Sequence, residues 1–132
     1  MMQGWTNIPM IMAYKTFEET LPWKKVQDFM TSMYPVFKNK KEEWLVDELM
    51  DAGLQAATQI AKGYEINNDA IHIECLIAAK SQLAKCRSML TIANRLKICK
   101  DLDFGLLSEK NTDAAKVIQG LIKYLKKDQK AA

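Results

Sequence analysis

From Leu76 onward the sequence repeats an apolar residue at alternating intervals of three and four: Leu76, Ala79, Leu83, Cys86, Leu90 and Ala93. Six positions on that spacing share one face of an α-helix and no face of a strand, where side chains alternate with a period of two. Asn67, Asn68 or Asp69 can each serve as the N-cap, and the run reaches about Leu96 without meeting glycine or proline. A helix of about 28 residues is roughly 40 Å long at a rise of 1.5 Å per residue. It must be the spine of the fold, and its single stripe requires partners.

The rest of the chain supplies three. Thr16 and Glu19 have capping-box spacing, and Thr20 precedes Pro22, which a first helical turn tolerates. Trp23, Val26, Met30, Met33 and Phe37 then recur at helical spacing, with the helix ending near Tyr34 because Pro35 disfavours helical geometry before it. Leu45, Leu49, Ala52, Ala56 and Ile60 mark the second helix, whose Ala-rich end lets a neighbour approach closely and whose Gly63 is placed as a C-terminal cap. After a connection at 98–107 containing Gly105, Ser108 and Glu109 open a helix carrying Ala114, Val117, Ile118, Leu121 and Leu125. With only 5 glycines and 3 prolines in 132 residues, there is little room for the turns of a β sandwich. The expected fold is all-α, an antiparallel up-down-up-down four-helix bundle without a strand, over residues 21–37, 40–63, 68–97 and 108–127. Residues 1–15 form an apolar leader, 16–128 the bundle and 129–132 a tail.

The leader lacks a basic start, is interrupted by Pro9 and is short for a signal sequence. It either frays or lies against another surface, and Trp5, Ile8, Ile11 and its methionines favour docking. No stretch approaches the roughly 20 apolar residues needed to span a bilayer. A cytoplasmic location is expected. Cys75, Cys86 and Cys99 have no CxxC spacing. On a helix Cys75 and Cys86 stand about 16 Å apart, too far for a disulfide. They read as small core residues in a reducing compartment.

Chemistry has little to build on. His72 is the only histidine, there is no nucleophile elbow or phosphate-cradling glycine loop, and a di-iron bundle would need a second His-containing motif to match Asp69 and His72. His72 reads as an ordinary polar residue in a first turn. Glu43, Asp47 and Asp51 follow one polar face, which reads as solvated or ion-pairing rather than as a metal site. No enzyme activity, cofactor or metal is expected.

Charge is the informative property. The net +3 conceals an acidic part, residues 1–74 with 7 Lys and Arg against 11 Asp and Glu, and a basic part, residues 75–132 with 12 against 5. Residues 75–100 hold six positive charges and no carboxylate. At 100° per residue Lys80, Arg87 and Arg95 fall within about 80° of one another beside the core stripe, and Lys116, Lys123, Lys126 and Lys127 add a second cluster. Two absorbers are open: the acidic second helix, within or between subunits, or the phosphates of a nucleic acid.

In order along the chain, "FEETLPW", Tyr34, "IAKGYE", "IAAKSQLAKCRSMLTIANRLKI" and "GLIKYLKK" resemble the bacterial four-helix-bundle family that includes proteins encoded in 23S rRNA intervening sequences and the accessory variability protein of diversity-generating retroelements. The likeness extends from Phe17 to Lys127. Lys62, Lys85 and Arg87 stand where that family commonly carries Glu, and the link at 98–107 is longer; the reversals resemble the basic, nucleic-acid-binding members. The resemblance implies a ring-like homopentamer that binds RNA or an RNA–DNA hybrid and works with a reverse transcriptase. Ile73 and Ile77, read as lying off the core stripe, agree with self-association. The expected phosphate contacts are Lys80, Arg87 and Arg95, with Lys85 and Lys97 at the margins and Lys123, Lys126 and Lys127 extending the surface.

Overall fold

The computed structural model describes residues 16–131. The expectation for the leader lies outside them. After a single 3₁₀ turn at Phe17–Glu19 come four helices: α1, Leu21–Phe37; α2, Glu43–Glu65; α3, Asp69–Arg95; and α4, Asp101–Ala131. Among the described residues there is no strand. Helices adjacent in sequence pack side by side and α1 closes against α4, which is the up-down-up-down bundle.

Local signals set most of the ends. Thr16 and Glu19 form the capping box, although it caps the 3₁₀ turn and not α1 itself. Asn68 caps α3, its Oδ1 accepting from the Ile71 amide at 2.9 Å. Pro35 is accommodated in the last turn of α1, which runs on to Phe37. At the end of α3 the Ile98 amide reaches back to the Ala93 carbonyl and that of Lys97 to Asn94, at 2.8 and 3.0 Å. This is a Schellman turn, with Lys97 in the left-handed conformation usually given to glycine, φ 61°.

That turn reverses the chain in a few residues, so the long connection expected at 98–107 does not exist. α4 begins at Asp101, seven residues before Ser108, and continues to Ala131, past the expected end at 127. Its added first turns place Leu107 in the core, and Asp101 accepts from Asn94 Nδ2 at 2.8 Å across the turn. Gly105 is exposed within the helix and Ser108 is interior to it, its Oγ buried without a partner.

Val26, Phe29, Met33 and Phe37 from α1 meet Leu49, Ala52 and Ala56, Leu76, Leu83 and Leu90, and Leu107, Ile118 and Leu125 from the other helices. Gly63 does not cap α2, which runs on to Glu65. It is buried against α3, where an added Cβ would stand 2.6 Å from His72 Cδ2 and 3.0 Å from Cys75 Cβ. The small residue brings α2 and α3 together near their shared end. Ile73 is a core residue, 7% exposed, contrary to its expected place off the stripe; Ile77 does stand out, at 47%. No helix among the described residues is long and apolar enough to cross a membrane.

Candidate functional site

The side of α3 that faces α4 carries Lys80 and Arg87, seven residues and so about 10 Å apart along the axis. Between and beyond them stand small or hydroxylic residues, Ala84, Ser88 and Thr91, and α4 contributes Asn111 and Ala115. These side chains are too short to close the seam between the helices. An open groove of about 420 Å³ results. A second depression of about 340 Å³ adjoins it, sharing Lys80 and Ala84 and adding Ile77, Ser81, Gln119, Ile122 and Lys126. Lys80, Arg87 and Lys126 are thus brought to one continuous groove, and no carboxylate is among its lining residues.

Two contacts hold this seam in place. Lys80 Nζ donates to Gln119 Oε1 at 2.6 Å, which draws the ammonium across the groove. Asn111, 1% exposed, donates through Nδ2 to the Leu83 carbonyl at 2.9 Å and ties α4 to α3 from beneath. Among the described residues neither Lys80, Arg87 nor Arg95 has a carboxylate within ion-pairing distance. The groove is therefore positive and uncompensated. It can hold an extended polyanion by phosphate contacts, which need charge and hydrogen-bond donors but no base-reading geometry.

The other expected residues divide. Arg95 is exposed near the end of α3, about 80° around the helix from Arg87 and 12 Å further along. Lys123 and Lys127 are exposed on α4 and line neither depression. Lys85 belongs elsewhere: its Nζ pairs with Glu48 of α2 at 2.9 Å, which holds its pKa above the usual lysine value with help from nearby Asp51. Within one copy the acidic second helix absorbs charge at Lys85, through Glu48 with Asp51 nearby, while among the described residues Glu43 and Asp47 make no ion pair and the α4-side flank receives none. Lys97 is fixed by its backbone in the Schellman turn and lines a separate depression with Lys40, Cys99 and Lys100. Sequence reasoning missed Ser88, Thr91, Asn111 and Gln119. Asn111 left a signal, since it continues the α4 stripe backwards from Ala114 to Leu107.

The remaining reactive groups are built into the core. His72, in the first turns of α3 as expected, is 4% exposed, and burial lowers its pKa to about 4, so it is neutral. Cys75, Cys86 and Cys99 are free and buried; burial pushes Cys86 up to about 12 and its thiol points to the Leu49 carbonyl at 3.8 Å. At that pKa the reactive thiolate is scarce. Where α3 begins and α4 ends, Asp69 shares a hydrogen bond with Asp128; burial first, then that carboxylate, raises its pKa. Among the described residues no group of three or more potential ligands could hold a metal ion. No protein-family model matches the chain, and neither does any curated protein sequence.

Proposed function

We propose that the protein is a non-enzymatic, oligomeric accessory protein that holds RNA, or an RNA–DNA hybrid, by its phosphates along the α3–α4 groove and works beside a reverse transcriptase. One observation carries the binding step: Lys80, Arg87 and Lys126 line a continuous groove that has no carboxylate in its lining. The resemblance noted above supplies the setting, a diversity-generating retroelement, and a ring of five copies. Leu54, 58% exposed on α2 and away from the groove, supports self-association. A ring would repeat the groove in each copy, so several weak sites on one strand would act together by effective concentration.

A second reading has its own support in the Lys85–Glu48 pair. There the bundle is a structural oligomer of the intervening-sequence type, its basic helix neutralised by acidic neighbours. A salt series of structured-RNA binding separates the two, comparing wild type with Lys80→Ala, Arg87→Ala and Arg95→Ala combined. The phosphate reading expects the oligomer to survive in native mass spectrometry and the log-log slope to become shallower by roughly 0.7 to 0.9 per lost contact. A broken oligomer with an unchanged slope refutes it. Lys85→Ala, whose charge is already compensated, is the control expected to leave the slope alone. A reverse-transcriptase gene and a repeated template region beside the coding sequence would test the setting.

A further inference from the structure

Proteins that grip single strands pair a positive channel with aromatic side chains on which successive bases stack. This groove has the first and lacks the second. α3 contains no Phe, Tyr or Trp from Asp69 to Arg95, and among the described residues none lines either depression. The two aromatic residues of α4, Phe104 and Tyr124, are partly buried and packed against the core. Among the described residues the most exposed aromatics, Tyr34 and Trp44, sit on α1 and α2. A single strand in this groove would gain charge contacts only, with its bases unsupported, while losing the freedom of every nucleotide it ordered.

A double helix asks for something else. Its phosphates are already ordered along a regular helical path, its bases are stacked on one another, and each neutralised phosphate releases more counterion, about 0.9 for duplex DNA against about 0.7 for a single strand. The groove matches those demands. Lys80 and Arg87 are spaced about 10 Å apart along α3, Lys126 stands on the opposite wall, and Lys80 is held in advance by Gln119. The hydroxyls of Ser81 and Ser88 on its rim suit the shape-directed contacts to phosphate and ribose 2′-hydroxyl by which paired RNA is recognised.

Resting on the nucleic-acid reading above, we infer that the α3–α4 groove is a site for the backbone of a double helix, paired RNA or an RNA–DNA hybrid, and discriminates against single strands. The test measures anisotropy of labelled RNAs with the whole protein at one salt concentration: a hairpin, and an unpaired strand of equal length and composition. The hairpin should bind at least tenfold more tightly, and Lys80→Gln with Arg87→Gln should remove most of that difference. Ser88→Trp, at an exposed position, puts the missing stacking surface into the groove and should narrow the preference severalfold by strengthening the single strand. A wild type that binds the unpaired strand as tightly as the hairpin overturns the inference and leaves the nucleic-acid reading standing, as does a preference unaltered by both variants. A wild type that binds neither RNA overturns the reading as well.

Discussion

Replacing glycine by alanine should have opposite effects at different places in this bundle. Gly105 and Gly120 lie within α4 with nothing within 4 Å of an added Cβ, so the change acts through backbone entropy alone and should stabilise by roughly 0.5–1 kcal/mol. Gly63 offers the same intrinsic gain, but its new Cβ would stand 2.6 Å from His72 Cδ2 and 3.0 Å from Cys75 Cβ. Neither neighbour is the free end of a flexible chain. One is a buried ring and the other a carbon attached directly to the α3 backbone, so the helices themselves must separate. Overpacking of this kind costs about 1–3 kcal/mol, which leaves Gly63→Ala less stable than wild type by about 1 kcal/mol and about 2 kcal/mol below Gly105→Ala. At about 3–5 °C per kcal/mol for a chain of this length, thermal melts followed by far-UV circular dichroism resolve the series easily. The double substitution Gly63→Ala, His72→Ala should be less damaging than the sum of its parts by about 1 kcal/mol, because removing the ring vacates the space the methyl needs. Equal melting temperatures for Gly63→Ala and Gly105→Ala, or strict additivity in that cycle, would refute the account of Gly63 as the contact that brings α2 onto α3.

Three further outcomes follow from the same structure. Because burial lowers His72 from 6.5 to about 4, its neutral form contributes stability that is complete above pH 6.5 and is lost as pH falls through 4; at 1.36 kcal/mol per unit the loss approaches about 3 kcal/mol, and urea titrations of wild type against His72→Gln across that range should show it. Asp69 is shifted the other way, so its pairing with Asp128 costs stability above its raised pKa. Asp128→Asn should therefore stabilise by a few tenths of a kcal/mol at pH 7 after solvent screening, with the gain vanishing in acid, as denaturant midpoints would report. Lys97→Gly removes a side chain from a left-handed backbone position and should raise stability by roughly 0.5–1 kcal/mol in the same assay.

The bundle was legible where a signal repeats many times over. Six apolar residues at helical spacing from Leu76 to Ala93 leave one interpretation, and all six side chains are fully buried. Single-residue signals misled. Gly105 read as a breaker, yet an exposed helical glycine costs only about 1 kcal/mol, which burial of Leu107 in the same turns offsets. Gly63 read as a cap, because close approach between helices is invisible until the partner helix is known. The sharp end of α3 gave no warning, since lysine occupies its left-handed position. For the groove, 100° arithmetic placed Lys80 and Arg87 on one flank. A helical wheel, however, does not say which flank meets α2 and which meets α4. The handedness of the bundle decides that, sending Lys85 to Glu48 and Lys80 to Gln119, 39 residues away in sequence.

That difference in partners has an electrical meaning. A lysine fixed by a carboxylate is fixed as half of a dipole, and its field fades within a few ångströms of the surface. Lys80 is fixed by an amide, which orients the ammonium and leaves its whole charge directed outward. With Arg87 unpaired beside it, the α3–α4 side projects a field across the Debye length, about 8 Å at physiological salt. An approaching polyanion is turned toward that side before any atom touches. For the proposed nucleic-acid contact, added salt should then slow arrival more than it hastens departure, and stopped-flow association rates should carry most of the ionic-strength dependence.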